Sequence, residues 1–141
     1  MKIIPLLLTG TALAAAAFIA VNIYPRYNDA PEEVFVPAAT VNERMEYFAS
    51  HGWETEEISE KAITIPSVFS QDYEEYARIQ DKQGLPLRRY AGRSGALYTF
   101  RVRNYSPGNR KMLAELIVCD DIAVASMVYS EDGEAVRMPV Q

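Results

Sequence analysis

From Ile3 to Pro25 the chain carries no charged side chain, with Lys2 standing before the run and Arg26 after it. A helix needs about 20 consecutive apolar residues to cross about 30 Å of hydrocarbon. In that medium a helix is also the form in which one segment satisfies its own backbone hydrogen bonds. Pro5 falls in the first turn, where its missing N–H costs little. Tyr24 and Tyr27 fall at the far end, where amphipathic rings favour the interface. Lys2 and the amino terminus bias the start of the chain to the cytoplasmic side, and Arg26 weakens that bias. The expectation is a signal-anchor transmembrane helix over residues 1–27, in the membrane through residues 3–25, with the rest of the chain extracytoplasmic. The alternative is a cleaved signal peptide with its apolar core from Ile3 to Leu13 and small-residue cleavage sites in Ala14-Ala15-Ala16-Ala17. Cleavage there would release a secreted domain starting near Phe18, with an apolar tail of no obvious use, so the anchor is the reading adopted. No cysteine follows the run, which argues against a lipoprotein. A helix apolar all round at the N-terminus argues against a buried core helix.

Residues 28–39 hold two prolines and three acids from Asn28 to Pro37 and read as an extended extracytoplasmic tether. Residues 40–141 suit a single domain. They can bury a core without disulfides, and the lone Cys119 cannot form one internally. Thr40-Val41-Asn42-Glu43 has the spacing of a capping box. Met45, Phe48 and Ala49 make an apolar stripe behind it, and His51-Gly52 makes a stop. Trp53 to Ile58 reads as extended, Ser59-Glu60-Lys61 as a polar turn, and Ala62 to Ile65 as a short strand. The spacing of Phe69, Tyr73, Tyr76, Ala77 and Gln80 predicts a second helix from Ser67 to about Gln83, capped by Gly84. The period then becomes two: Ala96, Tyr98, Phe100 and Val102 face one way, Thr99, Arg101 and Arg103 the other. Turns at Ser106-Pro107-Gly108-Asn109 and Asp120-Asp121 separate this strand from Met112–Cys119 and Ile122–Tyr129. The expected class is α+β: two amphipathic helices packed on one face of a mainly antiparallel sheet that ends in a three-stranded meander.

The ordered pieces Gly52-Trp53, Ile65-Pro66, Tyr76, Ile79-Gln80, Gln83-Gly84, Tyr90, Gly92, Tyr98-Thr99, Asn104-Tyr105 and Leu116-Ile117-Val118 resemble a bacterial domain family. That family is of unknown function, catalogued as number forty-eight thirty, and is frequent in anchored proteins of endospore-forming lineages. The resemblance covers about Val41 to Tyr129 and implies a membrane address, without an activity. The chain departs from the family in the last strand, where Ala123-Val124-Ala125-Ser126 stands in place of a glycine pair and an acid. It departs again in a glycine-rich close reduced to Asp132-Gly133 and Met138-Pro139.

The sequence contains no phosphate loop, zinc spacing or nucleotide fingerprint, and no cofactor or metal is expected. His51, the only histidine, falls where it can cap a helix end. Cys119 ends an apolar strand beside Asp120 and Asp121, a setting that raises a thiol pKa. Gly92-Arg93-Ser94-Gly95 is a loop rather than a nucleophile elbow. Glu56 and Glu57, adjacent on a strand, face opposite sides and cannot form a catalytic pair alone. Glu131-Asp132-Gly133-Glu134 lacks the alternating oxygen ligands of a calcium loop.

The remaining feature is charge segregation. Asn28 to Pro86 holds thirteen acids against four bases, within a net charge of −5. Leu87 to Lys111 holds Arg88, Arg89, Arg93, Arg101, Arg103, Arg110 and Lys111 and no acid. Arginine suits planar, bidentate anion recognition. These residues are the candidate site for an anionic lipid, wall polymer or acidic protein surface. The bland alternative is a solvated sheet face paired with the acidic helix. Nucleic acid is not an expected partner of an acidic chain facing away from the cytoplasm. A non-catalytic role in binding or regulating an envelope partner is therefore expected. A carboxylate-based envelope hydrolase is the alternative.

Overall fold

The computed structural model describes residues 33–133 and 137–141. The expected anchor and the start of the tether lie outside the described residues. Among those described, no helix is long and apolar enough to cross a membrane.

Helix α1 (Val41–Ser50) begins with the expected capping box. Thr40 Oγ1 accepts the Glu43 N–H at 3.1 Å, and Glu43 Oε1 accepts the Thr40 N–H at 3.1 Å. Strand β1 (Thr55–Thr64) follows, then helix α2 (Gln71–Gln83). The latter starts later than the spacing suggested, because the Ser70 hydroxyl, not Ser67, takes the capping bond, from the Tyr73 N–H. Gly84 closes it in the left-handed conformation, φ 77°. Strands β2 (Ser94–Val102), β3 (Met112–Cys119), β4 (Ile122–Ser130) and the short β5 (Arg137–Met138) complete an antiparallel sheet in the order β1-β2-β3-β4-β5. The meander therefore runs through all five strands. Asp120 and Asp121 both have positive φ, which suits the twist of the tight β3–β4 hairpin.

Two expectations need correction. Ser59-Glu60-Lys61 is not a turn: β1 pairs with β2 from Thr55↔Val102 to Thr64↔Ser94, with a register shift between Glu57 and Ser59. Ile58 is the extra residue of that bulge, and a polar stretch is tolerated because β1 lies at the sheet edge. Nor do the two helices share a face. Met112, Ala114, Leu116 and Val118 of β3 pack with Tyr47 and Phe48 of α1. Ile117 and Cys119 of the same strand pack with Ala77 of α2 and with Leu87. Successive strand residues point to opposite faces, so α1 covers one face and α2 part of the other. Burial on both sides explains the near-continuous apolar run Leu116-Ile117-Val118-Cys119.

The outer edge of β4 is closed in pieces. β5 pairs with Val128 and Tyr129. The side-chain amide of Gln80 acts as a surrogate strand at Ser126, accepting its N–H at 2.8 Å and donating to its C=O at 2.9 Å. Gln83 donates to the same carbonyl and accepts the N–H of Val140 at 2.7 Å. Beyond Ser126, the stretch expected to be tether lies against the edge. The Ala123 N–H donates to Val36 C=O, and the Ala38 N–H donates to Asp121 C=O. From Val34 onward this segment is extended, as expected, but it is built into the domain.

Candidate functional site

The charge-bearing residues singled out from the sequence divide into two groups. Arg88, Arg89 and Arg93 do not gather. Arg88 lies across α2 between Glu74 (2.7 Å) and Asp81 (2.9 Å). These carboxylates raise its pKa further, and in return it lowers that of Glu74. Arg89 pairs with Glu33 at 3.0 Å, and Arg93 pairs with Asp120 at 2.7 Å while lying over the Tyr90 ring. Such exposed pairs are screened by solvent and add little to stability.

Arg101, Arg103, Arg110 and Lys111 do come together. With Tyr105 and Ser106 they surround a shallow depression of about 250 Å³ where β2 ends and β3 begins. The turn that joins these strands brings both pairs of cations to one depression. Arg103 also binds Glu56 at 2.6 Å, and Arg110 approaches Asp132 at 3.6 Å. Arg101 and Lys111 have no ion-pair partner among the described residues. The depression thus offers two uncommitted cations and two shared ones to an anionic group.

The other sequence candidates are accounted for structurally. His51 occupies the C-cap of α1, with its ring edge-on to Tyr47 at 5.1 Å. Cys119 is buried, and burial followed by Asp120 raises its pKa. The strand opposite Cys119 must be glycine there: a Cβ on Gly95 would sit 2.6 Å from both Cys119 Sγ and Val118 O. Glu56 and Glu57 do face opposite sides. Glu56 meets Arg103, whereas Glu57 receives two hydrogen bonds, at 2.8 and 3.1 Å, from Arg44.

Two groups escaped the sequence reading. Arg44 is 6% exposed and donates to the carbonyls of Ala38 and Ala39, with its guanidinium 3.7 Å from the centre of the Tyr98 ring. It fastens the incoming chain to α1 and β1. Glu115 lies in the middle of β3, on the face that α2 only partly covers. Tyr76 Oη donates to its Oε2 at 2.8 Å. Burial raises the Glu115 pKa, opposed by the Tyr76 hydrogen bond and by Arg137. Burial and the nearby Glu115 charge in turn raise Tyr76, Tyr73 and Tyr129. An acid inside an otherwise apolar strand was the one available signal for this site. Another concavity, about 570 Å³ between Val34–Pro37 and α1, carries Glu43, Glu46 and His51.

Among the described residues, no group of three or more His, Cys, Asp or Glu side chains could hold a metal ion. No family model, curated protein or solved structure matches the chain.

Proposed function

We propose that this chain is a membrane-anchored binding domain that engages an anionic component of the cell envelope without catalysing a reaction. The observation that carries this reading is the gathering of Arg101, Arg103, Arg110 and Lys111 around one depression, with Arg101 and Lys111 uncommitted among the described residues. The uncharged run Ile3–Pro25 supports the anchor and a domain on the outer side of the membrane. The resemblance to the uncharacterised family of anchored bacterial proteins belongs to the same proposal. Near an anionic surface each basic residue contributes about 1 kcal/mol. Two uncommitted and two shared cations therefore give a modest, salt-sensitive affinity.

The test is the Arg101→Glu/Lys111→Glu double variant of the full chain, held in nanodiscs of zwitterionic lipid. Its binding to a polyglycerol-phosphate polymer and to phosphatidylglycerol vesicles is compared with that of the parent. The variant should bind the favoured anion at least about tenfold more weakly, by charge reversal at two positions. The arm that responds identifies wall polymer or lipid. Unchanged binding to both, or no salt-dependent binding by the parent, would overturn the reading.

A further inference from the structure

The Glu115 carboxylate is the best-defined polar group in a pocket that the anion-binding reading does not use. The pocket, about 480 Å³, opens between the start of α2 and the sheet face carrying β2 and β3. That volume is typical of small-molecule sites. Its walls are the apolar faces of Ile63, Leu97, Ile117 and Tyr73, with Tyr76 and Glu115 at the polar end. Register fixes the acid there: Glu115 pairs with Thr99 of β2 and Met127 of β4. The neighbouring β3 residue on that face, Ile117, pairs with Leu97 and lies under α2. Only Glu115 Oε2 has a hydrogen-bond partner among the described residues, the Tyr76 hydroxyl. Burial makes this carboxylate costly to keep charged, and the Tyr76 hydroxyl and Arg137 offset only part of that cost. Asp72 and Arg137 also line the pocket, so it holds two carboxyl groups and one guanidinium.

We infer that this pocket is a binding site for a small organic cation, an ammonium group carried on an aromatic or branched aliphatic body. The ammonium meets the unpartnered side of the Glu115 carboxylate. The body fills the space between Ile63, Leu97, Ile117 and the ring of Tyr73. Tyr73 and Tyr76 present ring surface to the same cation, which adds to its preference over a neutral analogue. Arg137 and Asp72 at the rim discriminate further: a ligand anion would meet two carboxylates for one guanidinium. The pocket is separate from the basic depression. The two share no lining residue.

The experiment uses the full chain in zwitterionic nanodiscs, titrated with phenethylamine, tryptamine and cyclohexylmethylamine, with 2-phenylethanol as the neutral counterpart of the first. Binding is followed by saturation-transfer NMR on the ligand signals, with empty nanodiscs subtracted. At least one amine should bind saturably and at least tenfold more tightly than a neutral compound of its shape. Glu115→Gln, which keeps an acceptor for the Tyr76 hydroxyl, should remove that advantage. No saturable amine binding up to about 10 mM, equal binding of phenethylamine and phenylethanol, or an advantage that survives Glu115→Gln would each overturn the inference. The amine–alcohol comparison on the unmodified chain needs no variant to fold.

Discussion

At the scale of single residues, stability and function separate at one buried hydroxyl and one half-buried carboxyl group. Thr55 is buried on β1, and among the described residues its hydroxyl has no hydrogen-bond partner. An unmatched buried hydroxyl costs about 1–3 kcal/mol. Thr55→Val has the same branching and removes only the polar atom, so it should stabilise the domain by about 1 kcal/mol. Chemical denaturation checks this, and a loss of stability would contradict the burial argument. Glu115 also opposes stability, but conditionally on pH. Its folded pKa is raised by burial, so the fold favours the protonated form. The group's favourable contribution is complete below the ordinary glutamate range and is lost as pH rises through the folded value. Glu115→Gln should therefore match the parent in acid and be the more stable of the two at neutral pH. A stability difference that does not change with pH would contradict it. A destabilising acid in a pocket is the pattern expected of a binding site.

At the scale of elements, what could be read in advance was local. The capping box at Thr40, the left-handed Gly84 and the Asp120-Asp121 hairpin each depend on residues within four positions of one another, and each is present. The period-two run through Tyr98, Phe100 and Val102 likewise names one face of β2. What the sequence hid was long-range. Nothing local marks Ile58 as a bulge residue, and a polar triplet on an edge strand looks the same as a turn. The same holds for Gln80. Helical spacing placed it on the buried side of α2, yet its task is to complete hydrogen bonds of Ser126, 46 residues away. Gln80→Ala would leave the buried Ser126 N–H without its partner and open space beside Gln83. We expect a loss of about 2–3 kcal/mol, with amide exchange at Ser126 accelerated before that of the central β3. A neutral substitution would show that the β4 edge does not depend on this surrogate strand.

At the scale of the whole molecule, the candidate site was half legible. The seven-cation stretch was visible as composition, but composition could not say which cations share a place. Folding turns Arg88, Arg89 and Arg93 toward acids on other segments, and gathers Arg101, Arg103, Arg110 and Lys111 at one strand turn. The Glu115 pocket was not legible, because its walls come from β1, α2, β2 and β3 and meet only in the folded sheet. Arg44 joins the incoming chain at Ala38 and Ala39 to α1 and to Glu57 of β1. The domain is thus held to the segment that leads back toward the uncharged run.

The central proposal is an anchored domain displayed outside the cytoplasm, and protease treatment of wall-stripped intact cells with mass analysis of the membrane fraction tests it most directly. The proposal predicts an uncleaved full-length chain in the membrane before treatment and loss of the domain on adding protease from outside. A domain protected until the cells are opened, or a soluble product starting near Phe18, would contradict it.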